Sequence, residues 1–160
     1  MTVPVADAWF LALSPDGKRV ALTLGEDGFL LCSLPGRTSR RLTAHSDQGK
    51  WAAFSPDSHL LATASSDATI KLWEVASGRE LGTLPGHLTG VSAVAIAPDG
   101  RTLVSIEPQQ GLRFWDLPTL REVAVVAMSA AGEWLQFAPD GHTLAVGLID
   151  GGIRLLKAPP

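Results

Sequence analysis

Apolar and polar positions recur along this chain in one order, four times. Turn tetrapeptides stand at 14–17 (SPDG), 55–58 (SPDS), 97–100 (APDG) and 138–141 (APDG), with their prolines 41, 42 and 41 residues apart. Stacking the chain on those prolines puts Leu13, Phe54, Ile96 and Phe137 two residues before them, and Val20, Leu61, Leu103 and Leu144 five residues after. A near-continuous apolar stretch precedes each turn (WFLAL, WAAF, VSAVAI, EWLQF), the pattern of a strand buried on both faces. Within the turn, proline fixes φ, aspartate bonds back to the backbone and glycine accepts positive φ. A second strand follows (RVALTL, HLLATA, RTLVSI, HTLAVG), then a loop carrying Asp or Gly, then a third strand (FLLCSL, TIKLWEV, LRFWDL, GIRLL). A more polar fourth stretch closes the first three units (SRRLTA, RELGTL, REVAVV), and the last unit lacks one. The spacing predicts an all-β chain of short antiparallel strands, with units at about 6–43, 44–85, 86–127 and 128–160 and no room for a sizeable helix.

Two dipeptides then stand out. The third unit contains Gly86-His87 and Trp115-Asp116, and the second contains the near matches Ala44-His45 and Trp73-Glu74. On these residues and the repeat length, the chain resembles the WD-repeat β-propeller family, whose repeats of about 40–45 residues each form one four-stranded blade. The resemblance covers essentially the whole chain. It is strongest in units two and three, while units one and four keep the turn and the apolar pattern without the dipeptides. It implies β-propeller blades, four WD-type four-stranded antiparallel repeats amounting to half of a seven- or eight-bladed ring.

His45, Thr63, Asp67 and Trp73 set a histidine, a hydroxyl and a carboxylate in one unit, the residue types of a hydrolytic triad. The resemblance implies a structural role instead. Asp accepts from His, His bonds the hydroxyl, and the hydroxyl meets the Trp indole N–H, satisfying buried polar groups. In the third unit His87 and Ser105 keep the 18-residue separation of His45 and Thr63, Trp115 keeps its place, and Gln109 stands where Asp67 does. That network is expected to be the weaker one. Unit four retains only Asp150, with Met128, Val146 and Leu156 in the other places, and unit one has Pro4, Leu22, Glu26 and Cys32. His59 and His142 follow turns and read as exposed hairpin residues; no two histidines have a metal-ligand spacing on one element.

Partner contacts implied by the resemblance lie at the mouth of the central channel, eight and six residues before the turn proline and just before the Asp position. These are Asp7 and Trp9 with Gly25, Gln48 and Lys50 with Ser66, Gly90 and Ser92 with Pro108, and Ala131 and Glu133 with Ile149. Trp9 and Lys50 are the best anchors, an aromatic and a long cation at a rim; Trp9 fits core packing equally well. Arg37, Arg40 and Arg41 form a basic cluster that reads as a solvated edge guarding against edge-to-edge pairing, with a phosphate contact as the other reading.

Composition narrows the partner. With 13 Lys+Arg against 16 Asp+Glu the net charge is −3, which disfavours nucleic acid, and 46% apolar with 18% charged residues suits a chain that buries a core. A single cysteine, Cys32, excludes an internal disulfide and a multi-cysteine zinc site, and no phosphate-cradling Gly-rich loop or other cofactor motif is present. Pro4 and Asp7 break the opening apolar stretch, and the longest one, Val123–Ala131, is far below the ~20 residues that span a bilayer. A cytoplasmic location is expected, without membrane or nucleic acid.

Four repeats supply about half of the roughly 280–340 residues that a seven- or eight-bladed ring needs. Three arrangements follow: a portion of a larger propeller, which the length favours; a homodimer closing an eight-bladed ring; or a four-bladed ring closed alone, with residues 1–5 (MTVPV) as the missing outer strand. The functional expectation is a non-catalytic protein-protein interaction scaffold that presents loops to a protein or peptide. The second reading is a regulatory or sensor segment of a larger bacterial multidomain enzyme of kinase or protease type.

Overall fold

The computed structural model describes residues 11–24, 28–43 and 45–157. Asp7, Trp9, Gly25, Glu26 and the 1–5 segment lie outside the described residues. Among the described residues every regular element is a strand, as the proline-spaced hairpins predict.

The first sheet runs β1 (Leu11–Leu13), β2 (Arg19–Thr23), β3 (Phe29–Ser33) and β4 (Thr38–Leu42), the second β5 (Gly49–Phe54), β6 (Leu60–Ser65), β7 (Ile70–Glu74) and β8 (Glu80–Leu84). The third runs β9 (Ala93–Ile96), β10 (Thr102–Glu107), β11 (Gly111–Asp116) and β12 (Arg121–Val126), and the fourth β13 (Gly132–Phe137), β14 (Thr143–Leu148) and β15 (Ile153–Lys157). Spatial order equals chain order in every sheet, and every pairing is antiparallel. Each sheet is one propeller blade, three of four strands and one of three among the described residues.

The turns repeat because their chemistry repeats. In the first two, the serine before the proline takes the N–H of the residue opening the next strand, Arg19 N to Ser14 Oγ at 2.8 Å and Leu60 N to Ser55 Oγ at 2.9 Å. The fourth turn residue is left-handed each time, with φ of +69° at Gly17 and +63° at Ser58. Ser58 carries that backbone cost without being glycine, and its hydroxyl accepts the Asp16 N–H of the neighbouring blade at 3.1 Å.

Blades stack through alternating side chains. Between the first and second, Ala21, Phe29, Leu31 and Leu42 meet Ala52, Leu61, Trp73 and Val75. Between the second and third, Ala62, Ala64, Ile70, Leu72 and Leu84 meet Val94, Ile96, Leu103, Trp115 and Leu117. Between the third and fourth, Val104, Ile106 and Leu112 meet Leu135, Leu144 and Val146. Each fully buried Leu or Ile contributes about 1.5–3 kcal/mol, so these sandwiched layers hold the blades in order.

Uniform burial of the inner strands holds only for β9; this corrects the expectation that all four are buried on both faces. Leu13 is 55% exposed, Glu133 is exposed, and Trp51, Ala53 and Phe54 are half-buried. The physical reason is the channel. Leu13, Trp51, Ala53 and Phe54 border a cavity of about 550 Å³ beside the turn prolines, whereas β9, which also reaches it, is packed between β5 and β13.

Candidate functional site

At the end of the strands away from the proline turns, the second blade holds a continuous chain of hydrogen bonds. The Trp73 indole N–H donates to Thr63 Oγ1 at 2.8 Å, Thr63 Oγ1 lies 2.8 Å from His45 Nε2, and His45 Nδ1 lies 2.9 Å from Asp67 Oδ2. Asp67 also accepts from Ser46 N (3.0 Å), Thr69 N (2.9 Å) and Thr69 Oγ1 (2.6 Å). Burial pushes the Asp67 carboxyl up, but the Thr69, His45 and Ser46 donors outweigh it and bring it down to about 2. Burial holds His45 below its ordinary value despite the opposing pull of Asp67, so the pair is a neutral imidazole donating to a carboxylate.

This arrangement cannot serve as a hydrolytic triad. Thr63 and the His45 side chain have no exposed surface, and the hydroxyl is capped by the Trp73 indole, so no substrate atom reaches it. His45→Ala is expected to lower stability by about 1–3 kcal/mol, because Asp67 and Thr63 lose a buried partner. Chemical denaturation of the variant checks it; an unchanged midpoint contradicts the bracing role.

The third blade repeats half of the chain. Trp115 Nε1 donates to Ser105 Oγ at 2.9 Å, and Ser105 Oγ lies 2.9 Å from His87 Nε2. Placing Gln109 in this network is corrected by the structure: His87 Nδ1 is buried without a partner. The loop here is a tight hairpin closed by Glu107 pairing with Gly111, and Gln109, at φ +67°, is exposed at its tip. Asp150 of the fourth blade is likewise exposed and caps its own hairpin, accepting from Gly152 N at 2.9 Å.

Glu107 takes over the loop-holding task, a residue that sequence reasoning missed. Its Oε1 accepts the Leu88 and Thr89 N–H groups, both at 2.6 Å, and its Oε2 faces Arg113 Nε at 3.2 Å. Arg113 in turn reaches Glu122 at 2.6 Å. Burial raises the Glu107 carboxyl, and the Thr89 and Leu88 amides with Arg113 bring it below its usual range. A signal was present in the sequence: Leu103, Ser105 and Glu107 alternate on one face of β10, and a carboxylate on a core-facing position requires partners.

On the same rim, a cleft of about 330 Å³ opens between the second and third blades. It is lined by Lys50, Ser66, Gly90, Ser92 and Pro108, with Thr89, Val91 and Gln109 completing it. Five of the positions implied by the family pattern therefore meet in one place. Lys50 is the extra residue of a bulge in β5, where Gly49 pairs with Ser65 and Trp51 with Ala64, and a bulge re-aims a side chain out of the ladder. Its Nζ donates to Gln48 Oε1 at 3.1 Å, so Gln48 braces Lys50 from outside the cleft. The blades touch closely here: Val91 N donates to Ser65 O at 2.9 Å, and a Cβ on Gly90 would stand 2.9 Å from Ser66 Cα. Glu133 occupies the matching bulge of β13, exposed and one blade beyond the cleft.

Consecutive four-stranded blades, a His–hydroxyl–Trp brace within the blade and loops gathered on one rim define a β-propeller repeat protein. The sequence profile described as "WD domain, G-beta repeat" matches residues 36–74 and 78–116. The chain belongs to the WD-repeat family. It is 31% identical over 150 residues to Protein groucho of Drosophila melanogaster, covering 91% of this chain and 20% of that protein. It is 30% identical over 159 residues to the Nuclear distribution protein nudF of Aspergillus terreus, covering 84% of this chain and 35% of that protein. A plant relative, Pre-mRNA-processing factor 19 homolog 2 of Arabidopsis thaliana, is 32% identical over 99 residues, 62% of this chain and 18% of its own length. The chain thus spans from about a sixth to about a third of these relatives. They come from an animal, a fungus and a plant, and give no support to the reading of a bacterial kinase or protease segment. No helix among the described residues is long and apolar enough to cross a membrane.

Proposed function

We propose that this chain is a non-catalytic platform of the cytoplasm that assembles protein complexes by presenting the rim between its second and third blades to a protein or peptide. The observation that carries this reading is the Lys50–Ser66–Gly90–Ser92–Pro108 cleft, where a bulge-projected cation stands over backbone and hydroxyl groups. Backbone carbonyls and serine hydroxyls suit the polar groups of an extended peptide, and Lys50 suits an acidic side chain. The buried His–hydroxyl–Trp chains keep that rim rigid, which lowers the entropy lost on binding. The relatives' names, among them a nuclear distribution protein and a subunit of a transcription initiation factor, fit a role within assemblies.

The proposal includes a further blade beyond the fourth, supplied by a continuing chain or by a second copy. Ile153 and Leu155, in the places that Ile70 and Leu72 hold in the second blade, are 65% and 59% exposed where those two are 0% and 2%. Such a pair on an open blade face calls for the cover that the next blade gives elsewhere.

Affinity capture with mass spectrometry of the bound proteins tests the binding site. Lys50→Ala is expected to reduce the specific partner at least about tenfold, roughly the 1.4 kcal/mol of one rim anchor, with the melting temperature unchanged. Full retention of every partner by a folded Lys50→Ala chain contradicts the assignment.

A further inference from the structure

At the opposite ends of the strands, beside the proline turns, a second cleft of about 320 Å³ lies between the first and second blades. Its walls carry Arg19, Ser33, Thr38 and Arg40, and its floor is Leu31 and Val75. The strand register places these four side chains together: Arg19 is opposite Ser33, Ser33 opposite Thr38, and Arg40 opposite Leu31 on the same face.

Comparison among the blades gives this cluster its meaning. The register position of Ser33 is Glu74 in the second blade and Asp116 in the third, paired across the ladder with Leu60 and Thr102 as Ser33 is with Arg19. Both acids face a guanidinium, Glu74 that of Arg79 and Asp116 that of Arg101, each at 3.7 Å. The first blade has a hydroxyl in place of the acid, and the two arginines of the cleft stand at other register positions: Arg19 where the next blades have Leu60 and Thr102, and Arg40 where the second has Gly82. Among the described residues neither Arg19 nor Arg40 has a carboxylate within 4 Å; Arg19 Nη1 donates to Lys18 O at 3.3 Å, and the Asp16 carboxylate of the adjacent turn, which feels the Arg19 charge from further off, is engaged by Ser14 Oγ at 2.6 Å and Lys18 N at 2.9 Å. Arg40 is also held in place. Its stem lies over Gly78, whose φ is +66° and where a Cβ would stand 2.5 Å from Arg40 Cδ.

We propose that this cleft binds a phosphate monoester carried on a side chain of a protein partner. Two guanidinium forks supply the charge-assisted bonds that phosphate oxygens require, and Ser33 and Thr38 supply hydroxyl donors. The phosphate takes the place that a carboxylate of the chain itself fills in the next two blades. A recessed cleft with an apolar floor admits one inserted side chain, and a net charge of −3 works against adhesion to a flat anionic membrane. The site lies on the rim opposite Lys50 and does not depend on the function proposed for that cleft.

Fluorescence anisotropy with a short labelled peptide carrying one phosphoserine, and with the same peptide unphosphorylated, tests the proposal. The phosphorylated form is expected to bind at least about tenfold more tightly and to be displaced by inorganic phosphate. Ser33→Glu, which restores the acid of the other blades, should abolish that preference while leaving the fold intact; Arg19→Gln with Arg40→Gln should do the same and decides the matter where the first variant fails to fold. Equal affinity for both peptides overturns the proposal. So does an undiminished preference in the folded variants, or binding to vesicles containing a phosphorylated inositol lipid without binding to the phosphopeptide.

Discussion

Glu107→Ala should cost the fold about 3 kcal/mol, read as a lower urea midpoint with an unchanged slope. The carboxylate has no exposed surface, and its removal strips the acceptor from the Leu88 and Thr89 amides and leaves Arg113, 14% exposed, with Glu122 alone. Breaking a buried pair from one side is expensive because the remaining charge keeps its desolvation cost. Glu107→Gln separates the two contributions. It retains an amide oxygen for the two N–H groups and loses the charge facing Arg113, so it should fall between wild type and alanine. An alanine variant as stable as wild type contradicts the loop-holding role.

Stability should also fall as the medium is acidified, beginning well above the carboxylate range. Burial lowers His87 from its ordinary 6.5 to about 4, against the opposing charges of Glu107 and Glu122 and with the help of Arg113. The unfolded chain takes up that proton near pH 6.5 while the folded chain refuses it until about pH 4. This contribution is therefore whole above pH 6.5 and is lost as pH falls through the window down to 4, by about 3 kcal/mol. His45, lowered in the same direction, adds to the slope. Asp67 acts lower still: its contribution is complete above about pH 4 and vanishes as pH falls through about 2, by roughly 2 kcal/mol. Urea titrations at a series of pH values check this. His87→Gln should flatten the first step by close to one proton, and an unaltered slope contradicts the buried neutral imidazole.

The periodic parts of this structure were legible from the sequence because they are repeated. Leu61, Leu103 and Leu144 share one column and one environment, buried between blades, and each copy reinforces the reading of the others. The His45–Thr63–Asp67–Trp73 chain was legible for the same reason, since fixed strand register converts fixed spacing into fixed distance. What escaped was local. Replacing Asp67 by Gln109 reads as a change of one side chain, and the hairpin keeps its length, Ser65 N donating to Thr69 O where Glu107 pairs with Gly111; but the left-handed residue moves from Ala68 to Gln109, so the amide sits at the exposed tip and a glutamate two residues earlier is the loop's anchor. Column alignment assumes equal loop conformations, and loops are where repeats diverge. Bulges were invisible for a related reason: nothing in the composition of GKWAAF marks Lys50 as the extra residue, because the bulge follows from register against β6.

Docking of a partner in the cleft between the second and third blades should bring it against Lys50 and Ser92. A photoreactive phenylalanine analogue at position 92, and at the exposed Val123 of the outer strand as a control, reports contact by covalent capture. Crosslinking of the captured partner is expected from position 92 and not from position 123, with the position-92 product lost in Lys50→Ala. Crosslinking from position 123 alone, or a position-92 product indifferent to Lys50, contradicts docking in that cleft.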